Sequence, residues 1–288
     1  MQQSNARAGI LLMLATVFVF AVQDGISKHL AENYNTWMVV MLRYWFFAAF
    51  VLALAARRPG GLRAAASSKR PVLQIFRGLL LVAEVCVMVI AFTRLGLSET
   101  HAVFIAYPLI ITALSGPVLG EVVGPRRWAA IGIGFIGVLI VLRPGLKVFS
   151  PDALIPLLAA FMFALYGLLT RMVARDDDAT TSFFWTGVAG AAGITLVGVF
   201  HLEPMTLTDS LWMLTLGISG AFGHYLLIKA YEMAEASVVQ PFAYFHLVFV
   251  TAIGVSVFSE ELDPVTFVGA GVIILAGVYT AWRERQVR

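Results

Sequence analysis

The stretch ITALSGPVLGEVVGPRRW at residues 111–128 returns as VTAIGVSVFSEELDPVTF at residues 250–267. Thr112-Ala113, Val118, Glu121, Pro125 and Trp128 fall on Thr251-Ala252, Val257, Glu260, Pro264 and Phe267, at a constant offset of 139 with no gap. The register extends outward: Gly78, Ala91, Ser98 and Gly132 fall on Gly217, Ala230, Ser237 and Gly271. The opening segments repeat at an offset of 143, which places Phe18, Phe20, Ala21, Ser27 and Lys28 on Phe161, Phe163, Ala164, Thr170 and Arg171. A shared Glu, Pro and Ser in one register is not easily supplied by chance. Self-similarity on this scale divides the chain into two related halves, 1–145 and 151–288, joined through Pro144-Gly145 and Ser150-Pro151.

Composition places those halves in a bilayer. Hydrophobic residues make up 60% of the chain, charged residues 13%, and the mean hydropathy is +0.87. The charged share is about half that of soluble domains. Apolar runs long enough for a hydrocarbon core of about 30 Å follow one another from end to end. They predict ten spans, at 8–29, 36–56, 71–93, 98–120, 126–143, 152–172, 180–200, 208–231, 237–257 and 264–282. The net charge of +3 gives no nucleic-acid signature, because most bases sit in short loops. One cysteine, Cys86, excludes a disulfide framework and a Cys-based metal site. No phosphate-binding or dinucleotide fingerprint is present, so neither ATP nor another cofactor is expected. The five histidines are dispersed along the chain without metal-ligand spacing, and no metal is expected.

With the N-terminus inside, 13 Lys and Arg fall in inner segments and four in outer ones, while Arg43, Arg77 and Lys229 lie within spans. The positive-inside rule then puts both termini in the cytoplasm. Five spans per half is an odd number, so the second half enters the membrane from the opposite face. The expected fold is an all-α integral membrane protein: ten transmembrane helices in two inverted five-helix repeats around a central cavity.

Ala91, Ser98, Ala102, Pro108-Leu109, Gly120-Glu121, Trp128, Gly132 and Gly137-Val138 form a pattern that recurs in part as Ala230, Ser237, Glu260, Gly271 and Gly277-Val278. It resembles the drug/metabolite transporter superfamily, specifically its ten-helix members built from two EamA-type domains. Leu247-Val248 replaces Pro108-Leu109 in the second copy, and a proline stands instead at Pro241, so equivalent helix breaks in the two halves do not follow from sequence. The resemblance covers nearly the whole chain and implies metabolite export, often of amino acids, as in the YddG-like exporters. It also implies a multi-pass protein of a bacterial inner membrane.

Polar groups inside a membrane are costly and so are functional candidates. Span 4 carries His101, Ile105, Pro108, Thr112 and Ser115 on one face; span 9 carries Gln240, Tyr244, Leu247, Thr251 and Gly254 on the equivalent face. The bland alternative is that such groups only bond neighbouring helices. Counting 1.5 Å per residue puts Asp24, Arg43 and Glu84 at one depth, with His101 close by. Asp24 and Arg43 are expected to pair; Glu84 can act as a proton carrier or as a structural partner of Arg43 or Arg77. Tyr166, His224 and Gln240 fall at the matching depth of the other leaflet. Trp45 and Trp185 are candidate cavity walls, with lipid contact or packing as the alternative. Gln23 and Tyr107 complete the candidate substrate-binding set. Spans 5 and 10, with glycines 132, 134, 137, 269, 271 and 277, are expected to act as peripheral buttresses.

Acid and base at one depth suit a zwitterion. The expected function is a secondary transporter exporting neutral and amphipathic amino acids with broad specificity, by alternating access. Lipophilic drugs, nucleoside-like or S-adenosylmethionine-like metabolites are alternative substrates, and an intramembrane enzyme is the rival class. The expected partners are the small-molecule substrate and the lipid bilayer, with no nucleic acid; the chain is read as a monomer, with a homodimer left open.

Overall fold

The computed structural model describes residues 6–120, 124–142, 151–233 and 240–287. Its first half holds α1 (Ala6–Asn33), α2 (Thr36–Ala56), the short α3 (Gly61–Ala66), α4 (Pro71–Leu95), α5 (Leu97–Phe104), α6 (Tyr107–Leu119) and α7 (Pro125–Leu142). Its second half holds α8 (Leu154–Val173), α9 (Ala179–Gly198), α10 (Leu207–Met233), α11 (Phe245–Phe258) and α12 (Pro264–Val287), with 3-10 turns at Pro151–Ala153, Val199–His201 and Gln240–Tyr244. There is no strand among the described residues. By length and composition, Arg7–Asn33, Thr36–Ala56, Pro71–Leu95, Leu97–Leu119, Pro151–Val173 and Ala179–His201 suit a membrane crossing, and shorter apolar stretches lie at Trp128–Leu142, Phe242–Phe258 and Pro264–Tyr279. The chain is an integral membrane protein of packed helices.

The helix ends have local causes. The Asn35 side chain accepts from Met38 N at 2.8 Å and starts α2; Asp178 accepts from Thr181 N at 2.7 Å and starts α9. Pro71 opens α4 in the first turn, where its missing N–H costs nothing. Gly96 ends that helix with φ of 85°, a left-handed angle that favours glycine.

Span 4 is not the single helix that its apolar run suggests. It breaks after Phe104 and resumes at Tyr107, with Pro108 in the first turn of α6. Span 9 breaks between Tyr244 and Phe245, where the 3-10 turn gives way to α11. α6 starts at Tyr107 and α11 at Phe245, the repeat counterpart of Ala106, so under the repeat the two segments start one residue apart although their prolines do not match. Pro108 acts by opening the second segment; Pro241 acts from within the turn that precedes it.

Packing follows the repeat. α1 lies on α10 as α8 lies on α4; α1 meets α11 as α8 meets α6; α4 meets α9 as α10 meets α2. The remaining main pairs, α2 with α9 and α7 with α12, each join a helix to its own counterpart. Exchanging the halves therefore maps the neighbours onto themselves. α7 and α12 pack chiefly on each other. Their backbones come close at Gly137 and Gly269: a Cβ on Gly137 would sit 2.8 Å from the Gly269 carbonyl oxygen. Gly132 and Gly271 face open space instead, so only part of the expected small-residue face is used.

Candidate functional site

Asp24 is the centre of the interior polar cluster. Its Oδ2 lies 3.1 Å from His101 Nε2 on α5 and 3.2 Å from His246 Nε2 on α11. The two imidazoles meet edge to face, centroids 4.8 Å apart. His101 is further fixed by its Nδ1, 3.0 Å from the Leu97 carbonyl oxygen, and by stacking on Phe92 at 5.3 Å. Its side chain is only 4% exposed, whereas Asp24 keeps 15% and His246 24%. The cluster is thus closed on the α5 side and partly open on the other.

The expected Asp24–Arg43 pair is not formed. Arg43 Nη2 donates instead to Gln23 Oε1 at 3.4 Å, and the Gln23 amide donates to the Ser219 carbonyl at 3.3 Å. Consecutive helix residues point about 100° apart. Gln23 therefore turns toward α2 and α10 while Asp24 turns toward α5 and α11. Depth alone does not separate those directions. Glu84, buried on α4, has Arg43 and Asp24 as its charged neighbours.

Two aromatic groups flank these charges. Phe47, Phe183 and His224 form one, with centroid separations of 5.1, 5.4 and 5.6 Å, and Phe20 adds an edge at 5.5 Å. Phe104, Tyr107, Phe163 and Tyr166 form the other as a chain of contacts of 4.9–6.1 Å. The Tyr166 hydroxyl accepts from Arg77 at 3.0 Å. Arg77 also donates to Gln74 Oε1, Thr170 Oγ1 and the Ser182 carbonyl, which ties α4 to α8 and α9.

The structure does not bring every candidate together. Trp45 is 44% exposed at the outer side of the bundle and donates to Thr195 Oγ1 at 2.8 Å. Trp185 packs with Ala55, Ala65 and Phe184 and donates to the Ala66 carbonyl at 3.2 Å. Tyr244 ends its 3-10 turn with its hydroxyl against Gly277. Gln240 opens that turn, and its side chain lies outside the described residues. His246 was not among the residues singled out from sequence. The signal was there: it stands at the repeat position of Tyr107, which was.

The repeated Glu gains a role. Glu260 Oε1 accepts from Lys28 Nζ at 2.7 Å and from Leu97 N at 2.7 Å, while Oε2 accepts from Ser98 N and Ser98 Oγ at 3.1 and 2.8 Å. Burial pushes this carboxyl up, but the Lys28 ammonium and the Leu97 and Ser98 donors outweigh burial and hold it below the usual glutamate range. Its counterpart Glu121 and the counterpart serine Ser237 lie outside the described residues. A second set of polar ties joins residues 58–74 to the 176–178 acids, with Arg58 on Asp178, Ser68 and Gln74 on Asp177 and Arg70 on Asp176.

A bundle of apolar helices, pseudo-symmetric in its packing and carrying acids and imidazoles in its interior, has the build of a multi-pass transporter for small metabolites. The model of the EamA-like transporter family matches residues 7–143 and again 151–282, and the chain belongs to that family. Among similar proteins, the S-adenosylmethionine uptake transporter of Rickettsia prowazekii is 26% identical over 279 residues, 96% of this chain and 94% of that one. The riboflavin transporter of Vibrio cholerae is 26% identical over 97% of this chain and 95% of its own. The pseudopaline exporter CntI of Pseudomonas aeruginosa is 22% identical over 94% of each. A solved protein crystal structure covers 96% of this chain and 98% of its own with a TM-score of 0.62 at 19% identity, a likeness in fold. The protein is a transporter and not an enzyme.

Proposed function

We propose that this protein carries a zwitterionic, amino-acid-type metabolite between two inverted halves by alternating access. The observation that supports this most is the interior arrangement of Asp24 beside His101 and His246 on one side and Arg43 beside Gln23 on the other. An ammonium and a carboxylate on one small molecule can each find an opposite charge or a hydrogen bond there. The aromatic groups around His224 and Tyr107 offer flat, weakly discriminating surfaces to whatever the substrate carries beyond its charged end. Trp45 stands too far out to join them, so Phe47 and Phe183 replace it in the proposed wall. Both termini are placed in the cytoplasm on the charge asymmetry of the loops.

One substrate beyond simple amino acids has specific support. S-adenosylmethionine joins an amino-acid end to a flat purine, and several relatives carry its name. Relatives are named for uptake and for export, so direction is kept as export on the amino-acid reading alone. The test is counterflow in proteoliposomes with labelled S-adenosylmethionine, methionine, threonine, phenylalanine and riboflavin beside a lipophilic dye cation. Exchange of the amino-acid-type solutes is expected. Movement of the dye or riboflavin alone rejects the zwitterion proposal. Glu84→Gln then assigns that acid: flux that loses its pH dependence marks a proton carrier, and unchanged pH dependence marks a structural group.

A further inference from the structure

The Asp24 cluster has a feature that substrate binding does not require. His101 Nδ1 faces the Leu97 carbonyl at 3.0 Å. A ring nitrogen that donates to a carbonyl fixes the tautomer and leaves the other nitrogen with a lone pair. In His101 that other nitrogen is Nε2, and it and His246 Nε2 face one carboxylate oxygen at 3.1 and 3.2 Å. Two imidazole nitrogens and an anion thus converge at one point inside the bundle. His246 Nε2 is itself buried and has no aligned hydrogen bond, despite its closeness to Asp24. Convergence without an in-line donor asks for a cation at the meeting point.

The donor set defines which cation. The three donor atoms lie within 4.8 Å of one another. Ions of the zinc type bind imidazole and carboxylate at about 2.0–2.2 Å, which sets donor spacings of roughly 3–4 Å. The two Asp–His edges already have that spacing, and the His–His edge reaches it by a small ring movement. Two imidazoles and one carboxylate suit zinc, cobalt, nickel or ferrous ions, whereas calcium and magnesium want oxygen. A backbone carbonyl on the outer ring nitrogen, as Leu97 supplies to His101, is the usual support for such a ligand. The partial exposure of Asp24 and His246 leaves room for a fourth ligand. Chain spacing hides this set, since its members stand on α1, α5 and α11. The repeat does not call for it either: the counterparts of Asp24, His101 and His246 are Gly167, Gln240 and Tyr107.

We propose that Asp24, His101 and His246 form a site for one divalent transition-metal ion of the zinc type. The ion would join α1 and α5 of the first half to α11 of the second, so its occupancy would hold the halves together on that side. The site uses the same three residues as the substrate proposal, but its test uses no substrate, so the two fail separately.

Tag-free, full-length protein in detergent micelles, stripped with a chelator, is titrated with Zn²⁺ by calorimetry and with Co²⁺ by visible absorption. One ion per chain with a dissociation constant in the micromolar range or tighter is expected, with a cobalt spectrum of low coordination number. Asp24→Asn and His246→Gln should each weaken binding tenfold or more while eluting as wild type on gel filtration. His29→Gln, at a histidine paired with Asp209, should leave binding unchanged. Absence of binding at 1 mM Zn²⁺ overturns the proposal. Binding that survives both Asp24→Asn and His246→Gln overturns it as well.

Discussion

Lys28 Nζ lies 2.7 Å from Glu260 Oε1, and the same carboxylate holds the Leu97 and Ser98 amides. One side chain thus joins the end of α1, the start of α5 and the turn before α12. Glu260→Gln leaves a 7%-exposed Lys28 ammonium without its main partner and is expected to cost about 1.5–3 kcal/mol. The folded-state pKa of Glu260 is depressed, so its contribution is present above the unfolded value of about 4.3 and is lost as pH falls through the lower, folded one. Thermal melts of the two proteins should therefore differ most near neutrality and converge in acid. A constant difference down to the lowest pH the detergent tolerates would show that the charge is not the source.

Arg77 is 1% exposed and places its guanidinium among four acceptors from α4, α8 and α9. Removing the guanidinium strands those oxygens. Arg77→Met should cost several kcal/mol, at about 1–3 kcal/mol for each buried acceptor left without a donor. Arg77→Lys should recover little, because an ammonium cannot copy the planar fork. Urea or thermal unfolding in micelles measures both; a near-wild-type Lys variant contradicts the geometry.

Gly78 and its repeat counterpart Gly217 mark equivalent helix contacts. A Cβ on Gly78 would lie 2.9 Å from the Trp185 carbonyl oxygen and 3.0 Å from Ala189 Cβ, and neither can swing away. Gly217 faces the Phe46 ring, a side chain that can rotate. Gly78→Ala should therefore destabilise by about 1–3 kcal/mol and Gly217→Ala by less. Equal losses would mean that α4 and α9 separate more readily than their packing implies.

Cys86 is buried, which makes a Cys86→Ala background simple for accessibility labelling. Ser67→Cys and Pro204→Cys occupy exposed turns at repeat-related places, 56–71 and 199–207. If the halves are inverted, a membrane-impermeant maleimide added outside whole cells should label Cys at 204 and not at 67. Labelling of both from outside would reject inversion.

Apolar length located the helices well. The span expected at 36–56 is Thr36–Ala56, and that at 71–93 is Pro71–Leu95. It failed where hydropathy stays high across an interruption of the helix, as at Ile105–Ala106, since a break leaves no mark in hydropathy. The six-residue α3 hid inside a basic loop because it is too short to register as a span. Counting rise along an axis put Asp24, Arg43, Glu84 and His101 at one level, and Asp24 does meet His101 while Arg43 and Asp24 neighbour Glu84, but azimuth comes only from how helices lean on one another. That missing coordinate is why Arg43 met Gln23 rather than Asp24, why Trp45 turned outward, and why His246 went unnoticed.

The turn at 105–106 ahead of α6, and the 3-10 turn ahead of α11, alter what the two spans can do mechanically. An unbroken rod spanning the core can only tip as a whole, so closing one end opens the other by an equal swing. A rod with a joint halfway can bend one arm while the second keeps its seat. Here α5 is seated by Glu260 and by His101 against Phe92, whereas α6 beyond the joint packs on α8 with fewer polar ties among the described residues. The cost of moving the two arms is therefore unequal. Stiffening the joint, for instance by Ala106→Leu or by a cross-link across it, would convert a lever with an elbow into a plain beam.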